Sequence, residues 1–250
     1  MQNRTPSGHL LLLTGSGEGR RIAQSLADQS GLRVTASILH APRAFGPLPV
    51  PHRIGRFGGD DGFRRYLSSH HITAVLDATH PFAHRVSTRS ARICAELSLP
   101  YARVLRPAWT PTAQDNWTQV GSVTQATALI PPGARVFATT GRATLDEYRN
   151  WPAGHLFFRQ MARRLPPENV KNLTCITGEG PFSVLDEVKT LTDLRIDLLV
   201  VKNSGGDASR TKLDAARQLG LPVILIARPP KPNASVLETV DAALDWVARL

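Results

Sequence analysis

The segment Thr14 to Arg20, TGSGEGR, sets three glycines at alternate positions directly after an apolar run and before an amphipathic stretch. A strand-to-helix turn of this kind presents backbone N–H groups at the positive end of a helix dipole, which makes it an anion site. Gly15, Gly17 and Gly19 let a phosphate approach the main chain, and Ser16, Glu18 and Arg20 complete the turn as candidate cofactor contacts. The strict dinucleotide fingerprint wants glycine at position 20, where arginine stands. A P-loop needs a Gly-Lys pair, which the sequence lacks. A short-chain dehydrogenase needs Tyr-x-x-x-Lys, which none of Tyr66, Tyr101 and Tyr148 supplies. An NAD site or a methyltransferase turn would place an acid near the end of the second strand, yet LHAPRAF follows Ile38 and no acid comes before Asp60. Arg43 is therefore the expected 2′-phosphate ligand, with His40 beside it, and NADPH is the expected cofactor.

The next chemical loop is DATHPFA, Asp77 to Ala83, at the carboxyl end of a third apolar run. Thr79 or His80 is expected to cap a helix that Pro81 starts. His80 and His84 have metal-chelating spacing, but no third ligand is near, so no metal is expected. In the second half three loops repeat the pattern: TTGRAT with Gly141 and Arg142, TGEGPF with Gly180, and KNSGG from Lys202 through Asn203, Ser204 and Gly205. With Lys212 they could surround a large anionic ligand with backbone donors and cations. His80 and Lys202 are candidate proton donors.

These loops need strands and helices to position them, and apolar runs alternate with amphipathic stretches as parallel sheets with crossover helices require. Strands are expected at Leu10 to Leu13, Val34 to Leu39, Ile72 to Leu76 and Tyr101 to Leu105 in the first half. Helices are expected near Ile22, from Asp60 to Ser69 and from Pro81 onward. Residues 106 to 117 read as irregular, and a short helix through Ala126 ends at Pro131-Pro132, the expected domain junction. The second half carries expected strands at Arg135 to Thr139, Leu156 to Arg159, Thr174 to Thr177, Asp197 to Val201 and Val223 to Ala227. Its helices are expected near Leu145 to Tyr148, then at Phe182 to Leu191, Thr211 to Leu219 and Val236 to Leu250. The fold class is α/β, with residues 1–130 as an NADPH-binding Rossmann-like domain and 131–250 as a second.

Composition narrows the function classes. The 250 residues carry a net charge of +10, and only five of the 30 cationic side chains are lysines, all from Lys171 onward. Arginine favours bidentate carboxylate and phosphate recognition, although a codon bias would enrich it as well. Nucleic acid is an obvious partner for such a charge. The cations are scattered, aromatics are only 6%, and no zinc, helix-turn-helix or RNA-recognition signature is present, so no nucleic-acid partner is expected. No apolar run approaches the roughly 18 residues of a membrane span. The opening MQNRTPSG reads as no signal region, and Cys94 and Cys175 form no metal or redox spacing, so a cytoplasmic location is expected. A noncatalytic nucleotide-sensing module would account for the first half alone.

LLLTGSGEGR, RIGRFGG (53 to 59), DATHPFA, TTGR, GEGPF and the stretch from Lys202 through Lys212 and Leu219-Gly220 to Arg228-Pro229 resemble, in order and over nearly the whole chain, the precorrin-6A reductase family of cobalamin biosynthesis. Thr14 stands where that family often has glycine. The resemblance implies two Rossmann-like parallel-sheet domains with a ligand cleft between them, and adds Gly58 and Gly59 to the cofactor residues. It further implies NADPH-dependent reduction of one macrocycle double bond of precorrin-6A to give precorrin-6B, with a cobalt-containing substrate as the near alternative. A polycarboxylate tetrapyrrole suits an arginine-rich, positive protein. A monomer is expected.

Overall fold

The computed structural model describes residues 8–29, 31–40, 46–149, 151, 154–161, 170–178 and 180–250. The chain divides into two compact units, one made of Met1–Pro107 with Pro230–Leu250 and the other of Ala108–Pro229.

In the first unit β1 (Gly8–Thr14), α1 (Gly17–Leu26), β2 (Leu32–Ile38), β3 (His52–Ile54), α2 (Gly59–Ser69), β4 (Ala74–Ala78), α3 (His84–Glu96) and β5 (Tyr101–Val104) follow one another. The second unit contributes β6 (Trp117–Val120), α4 (Val123–Ala128), β7 (Arg135–Ala138), a 3₁₀ helix (Arg142–Tyr148), β8 (His155–Gln160), β9 (Leu173–Thr177), α5 (Val184–Asp193), β10 (Leu198–Lys202), α6 (Thr211–Gln218) and β11 (Val223–Ile226). The chain then returns to the first unit with β12 (Ser235–Leu237) and α7 (Val240–Val247). The first sheet has the order β12-β5-β4-β1-β2-β3, the second β6-β11-β10-β7-β8-β9, and the described ladders are parallel.

The continuous leucine run of β1 is explained by burial on both faces of a central parallel strand. Strand alternation sends Leu10 and Leu12 toward Ile22 and Leu26 of α1 and Ala243 and Val247 of α7. Leu11 and Leu13 pack on the other face with Phe63 and Leu67 of α2 and Ile93 of α3. In the second unit Phe137, Phe157, Leu199, Val201 and Leu225 pack with Leu191 of α5 and Leu213 of α6. Among the described residues no helix is long and apolar enough to cross a membrane.

Several expectations differ from what is observed. Two short strands, β3 and β6, have no counterpart among the expected elements; β6 pairs with β11 and begins at the end of the stretch whose sequence is irregular. The chain passes between units at 107/108 and again at 229/230, whereas position 130 lies inside the second unit, just after α4. Val236 and Leu237 form β12 against Arg103 and Val104, and the C-terminal helix starts only at Val240, capped by the Thr239 hydroxyl on the Ala242 N–H. The segment Arg142–Tyr148 is 3₁₀ rather than α-helical. The third helix begins at His84, with Ala83 as its N-cap and no side-chain cap bond, so neither Thr79 nor His80 caps it.

Candidate functional site

The strand order of the first sheet reverses between β1 and β4, and ligands of such sheets bind beyond the strand ends at that point. Here the glycine turn meets the loop after β4. Ser16 caps α1, accepting from the Gly19 N–H at 3.1 Å while its hydroxyl donates to the Ala78 carbonyl at 2.8 Å. A Cβ on Gly19 would stand 3.1 Å from that carbonyl oxygen, and one on Gly15 would stand 3.3 Å from the His80 nitrogen. Gly15 and Gly19 therefore serve close packing of two loops. Gly17 is different: a Cβ there would meet nothing within 4 Å, which leaves the first turn of α1 open to a ligand. Thr14 donates its hydroxyl to the Ser37 carbonyl at 3.2 Å.

The side chains of the turn do other work. Arg20 donates to the carbonyls of Gly46 and Pro47, fastening the segment before β3 onto α1. Glu18 pairs with Arg106 at 2.6 Å. Burial alone would raise its pKa, but amide hydrogen bonding in its own turn and the Arg106 charge hold it below the ordinary glutamate value. His40 is exposed two residues beyond β2, and Arg43 lies outside the described residues. At the same strand end, Arg53 of β3 donates to the Ser37 hydroxyl at 2.8 Å and to the Gly55 and Arg56 carbonyls, and stacks 4.0 Å from the Phe57 ring centroid. Gly58 and Gly59, at φ 82° and 84°, make the left-handed turn into α2.

The loop after β4 is held from beneath by β5. Asp77, fully buried, accepts from the Thr79 N–H at 3.0 Å and the Tyr101 hydroxyl at 2.8 Å. Burial and the Asp77 charge push the Tyr101 pKa up, so it stays a protonated donor. His80 Nδ1 accepts from the Phe82 N–H at 3.2 Å, which leaves the neutral ring's proton on Nε2.

In the second unit the three loops do lie at strand ends, after β7, β9 and β10. A Cβ on Gly141 would come within 3.9 Å of Lys202 Nζ, so these two loops adjoin, and Arg142 donates to Gln160 at 3.2 Å. Burial holds the Lys202 ammonium below the ordinary lysine pKa, against the attraction of Glu147. Asn203 acts as a scaffold, since its side-chain amide both accepts from the Trp109 N–H at 2.8 Å and donates to the Trp109 carbonyl at 2.9 Å. Arg228 holds the carbonyls of Asn203 and Ser204, and Gly205 takes φ 67°. Gly180 packs beside Phe182, a would-be Cβ lying 3.6 Å from the ring. Lys212 is drawn inward, donating to the Ser209 carbonyl, and burial pushes its pKa down to about 8 despite Glu187.

Sequence reasoning missed Tyr101 and Arg103 on β5, Arg53 on β3, and the buried Arg159–Glu187 pair at 2.6 Å. Strand alternation could have flagged Tyr101 and Arg103 as two polar side chains on one face of a buried strand.

Two parallel sheets, one with a glycine turn at its switch point and the other with glycine loops and cations at its strand ends, define a two-unit Rossmann-like α/β protein. Within that class, residues 9–248 match the precorrin-6x reductase family, CbiJ/CobK, and the chain belongs to it. It is similar to precorrin-6A reductase of Rhodococcus erythropolis, 40% identical over 96% of this chain and 98% of that protein. The Rhodobacter capsulatus precorrin-6A reductase is 36% identical over 96% and 95%. The cobalt-precorrin-6A reductase of Priestia megaterium is 29% identical over 93% and 95%. A solved CobK precorrin-6A reductase superposes with a TM-score of 0.90 at 36% identity, covering 97% of this chain and 96% of its own. The protein is thus a reductase of cobalamin biosynthesis.

Proposed function

We propose that this protein reduces one macrocycle double bond of precorrin-6A to give precorrin-6B, using NADPH held by the first unit and binding the tetrapyrrole through the second. The observation that carries the nucleotide half is the turn at the β1/β4 switch point, closed by Gly15 and Gly19 and left open at Gly17. A pyrophosphate fits there on the N–H groups that begin α1. The preference for NADPH rests on the absence of any acid from Leu39 to Gly59 and on cations at the end of β2. Arg43 and His40 are the proposed 2′-phosphate ligands, and Arg53 holds the Ser37 hydroxyl at the end of β2. Thr79, His80, Gly58 and Gly59 complete the proposed cofactor set.

NADPH supplies a hydride, and the reduction also takes up a proton. The protein's part is position and charge. Gly141, Arg142, Gly180, Lys202, Asn203, Ser204, Gly205 and Lys212 form the proposed tetrapyrrole site: backbone donors come from the glycine loops, and Arg142, Lys202 and Lys212 are the proposed cationic partners of the carboxylates. His80, whose Nε2 carries the donor proton, and Lys202, with its lowered pKa, are the proposed proton donors. The cobalt-free substrate is favoured because the relatives named precorrin-6A reductase are 36–40% identical, and those named for the cobalt form 26–29%.

The test is nicotinamide oxidation with precorrin-6A and with its cobalt form, NADPH against NADH. NADPH turnover on the cobalt-free substrate is expected. Arg43→Ala should weaken NADPH about tenfold, or roughly 1.4 kcal/mol, and leave NADH unchanged. Equal wild-type use of the two cofactors would overturn the 2′-phosphate assignment.

A further inference from the structure

Arg103 is the largest fully buried side chain among the described residues, 2% exposed. It lies one residue before the end of β5, between Asp77 of β4 and Val236 of β12. Its Nη2 donates to the Pro81 carbonyl at 3.2 Å, and its Nε has no partner. Among the described residues no carboxylate stands within the 4.0 Å of an ion pair: the nearest strand neighbour, Asp77, is engaged by Tyr101 and Thr79. A buried guanidinium with one carbonyl bond and no carboxylate at ion-pair distance among the described residues is costly, and a well-packed apolar replacement commonly leaves such a site as stable or more so. Fold stability therefore gives no reason for arginine here.

The contact it makes does give one. Pro81 sits in the loop that abuts the glycine turn, where Ser16 holds the Ala78 carbonyl and Gly15 lies against the His80 nitrogen. With the Pro81 carbonyl drawn down onto β5, residues 79–82 stay out of the helix, and α3 starts only at His84. That keeps the backbone of Thr79 and His80 at the strand end, beside the anion-binding turn.

We infer that Arg103 is a positioning residue of the nucleotide site, acting through the Pro81 carbonyl to set the Asp77–Ala83 loop against the glycine turn. This rests on the NADPH reading above. Wild-type protein is titrated with NADPH first, and absence of binding there overturns the nucleotide reading before any variant is measured. Arg103→Met keeps the length of the side chain and removes the donor. Its melting temperature should equal or exceed wild type while its NADPH Kd rises about tenfold or more. Arg103→Lys keeps a donor able to reach Pro81 and should bind NADPH within about threefold of wild type. Arg103→Met that binds NADPH as wild type does overturns the inference. So does a folded Arg103→Lys that loses tenfold, and this second variant decides the matter if the methionine protein does not fold.

Discussion

Gly17→Asp separates the ligand role of the glycine turn from its structural role. Gly17 is the first residue of α1, and a side chain there meets no protein atom within 4 Å. A carboxylate at a helix start is favourable by about 0.3–1 kcal/mol, so the variant should melt no lower than wild type. Toward a pyrophosphate the same carboxylate is prohibitive. It displaces at least one charge-assisted hydrogen bond, worth about 1.5–3 kcal/mol. It also sets like charges a few ångströms apart, a repulsion of up to about 4 kcal/mol at an effective dielectric of 20. A loss of about 3 kcal/mol is roughly a hundredfold in Kd. Gly19→Ala is the contrasting control, since its Cβ would press on the Ala78 oxygen at 3.1 Å, Ala78 Cβ at 3.2 Å and Thr14 Cβ at 3.3 Å. That overpacking, about 1–3 kcal/mol, is partly offset by about 1 kcal/mol of helix propensity, so Gly19→Ala should show up in the melt. Calorimetric titration with NADPH beside thermal melts reads both effects. A folded Gly17→Asp protein that takes up NADPH like wild type would refute the placement of the phosphate on this turn.

The Arg159–Glu187 pair is buried, its arginine stacked 4.1 Å from Phe182 and 4.8 Å from Phe137, so Glu187→Ala should cost about 3–5 kcal/mol in urea unfolding; an unchanged midpoint would show the pair to be inert. Lys212 titrates near 8 in the fold and near 10.5 unfolded, so the unfolded chain binds the extra proton between those values. The cost to stability is present in full below pH 8 and fades as pH rises toward 10.5. Wild-type stability relative to Lys212→Met should therefore climb through that interval, and the KM for the proposed polycarboxylate should rise as the ammonium is lost. Parallel stability curves for the two proteins would show that Lys212 titrates normally.

Much of the fold was legible because strand burial writes itself into composition. Leu10 to Leu13 is apolar at every position since both sheet faces are covered, and no alternation needs decoding. The edges were harder to read. The three residues of β3 alternate between exposed and half-buried, and β6 has the pattern of a loop, because an edge strand beside one neighbour carries little apolar demand. The C-terminal segment misled for a related reason: Val236 and Leu237 suit a helix face as well as a strand, and only the ladder with Arg103 and Val104 decides between them. That ladder joins residues far apart in sequence, which local periodicity does not register.

The glycine turn was legible as a strand-to-helix turn, yet its three glycines do different things, since spacing alone does not say that Gly15 and Gly19 face a second loop while Gly17 faces open space. Arginines were harder to sort. Arg20 looks like a ligand beside the turn but fastens two carbonyls, and Arg106, at the end of the first unit, neutralises Glu18. Arg103 sits inside a strand, where a buried cation is disfavoured. Local consistency explains most of a sequence, so the residue that breaks the local rule without a compensating partner is the one to examine for function. By that criterion the carbonyl bond of Arg103, which gives the fold little in return for a buried charge, points to the Asp77–Ala83 loop and the nucleotide role proposed for it.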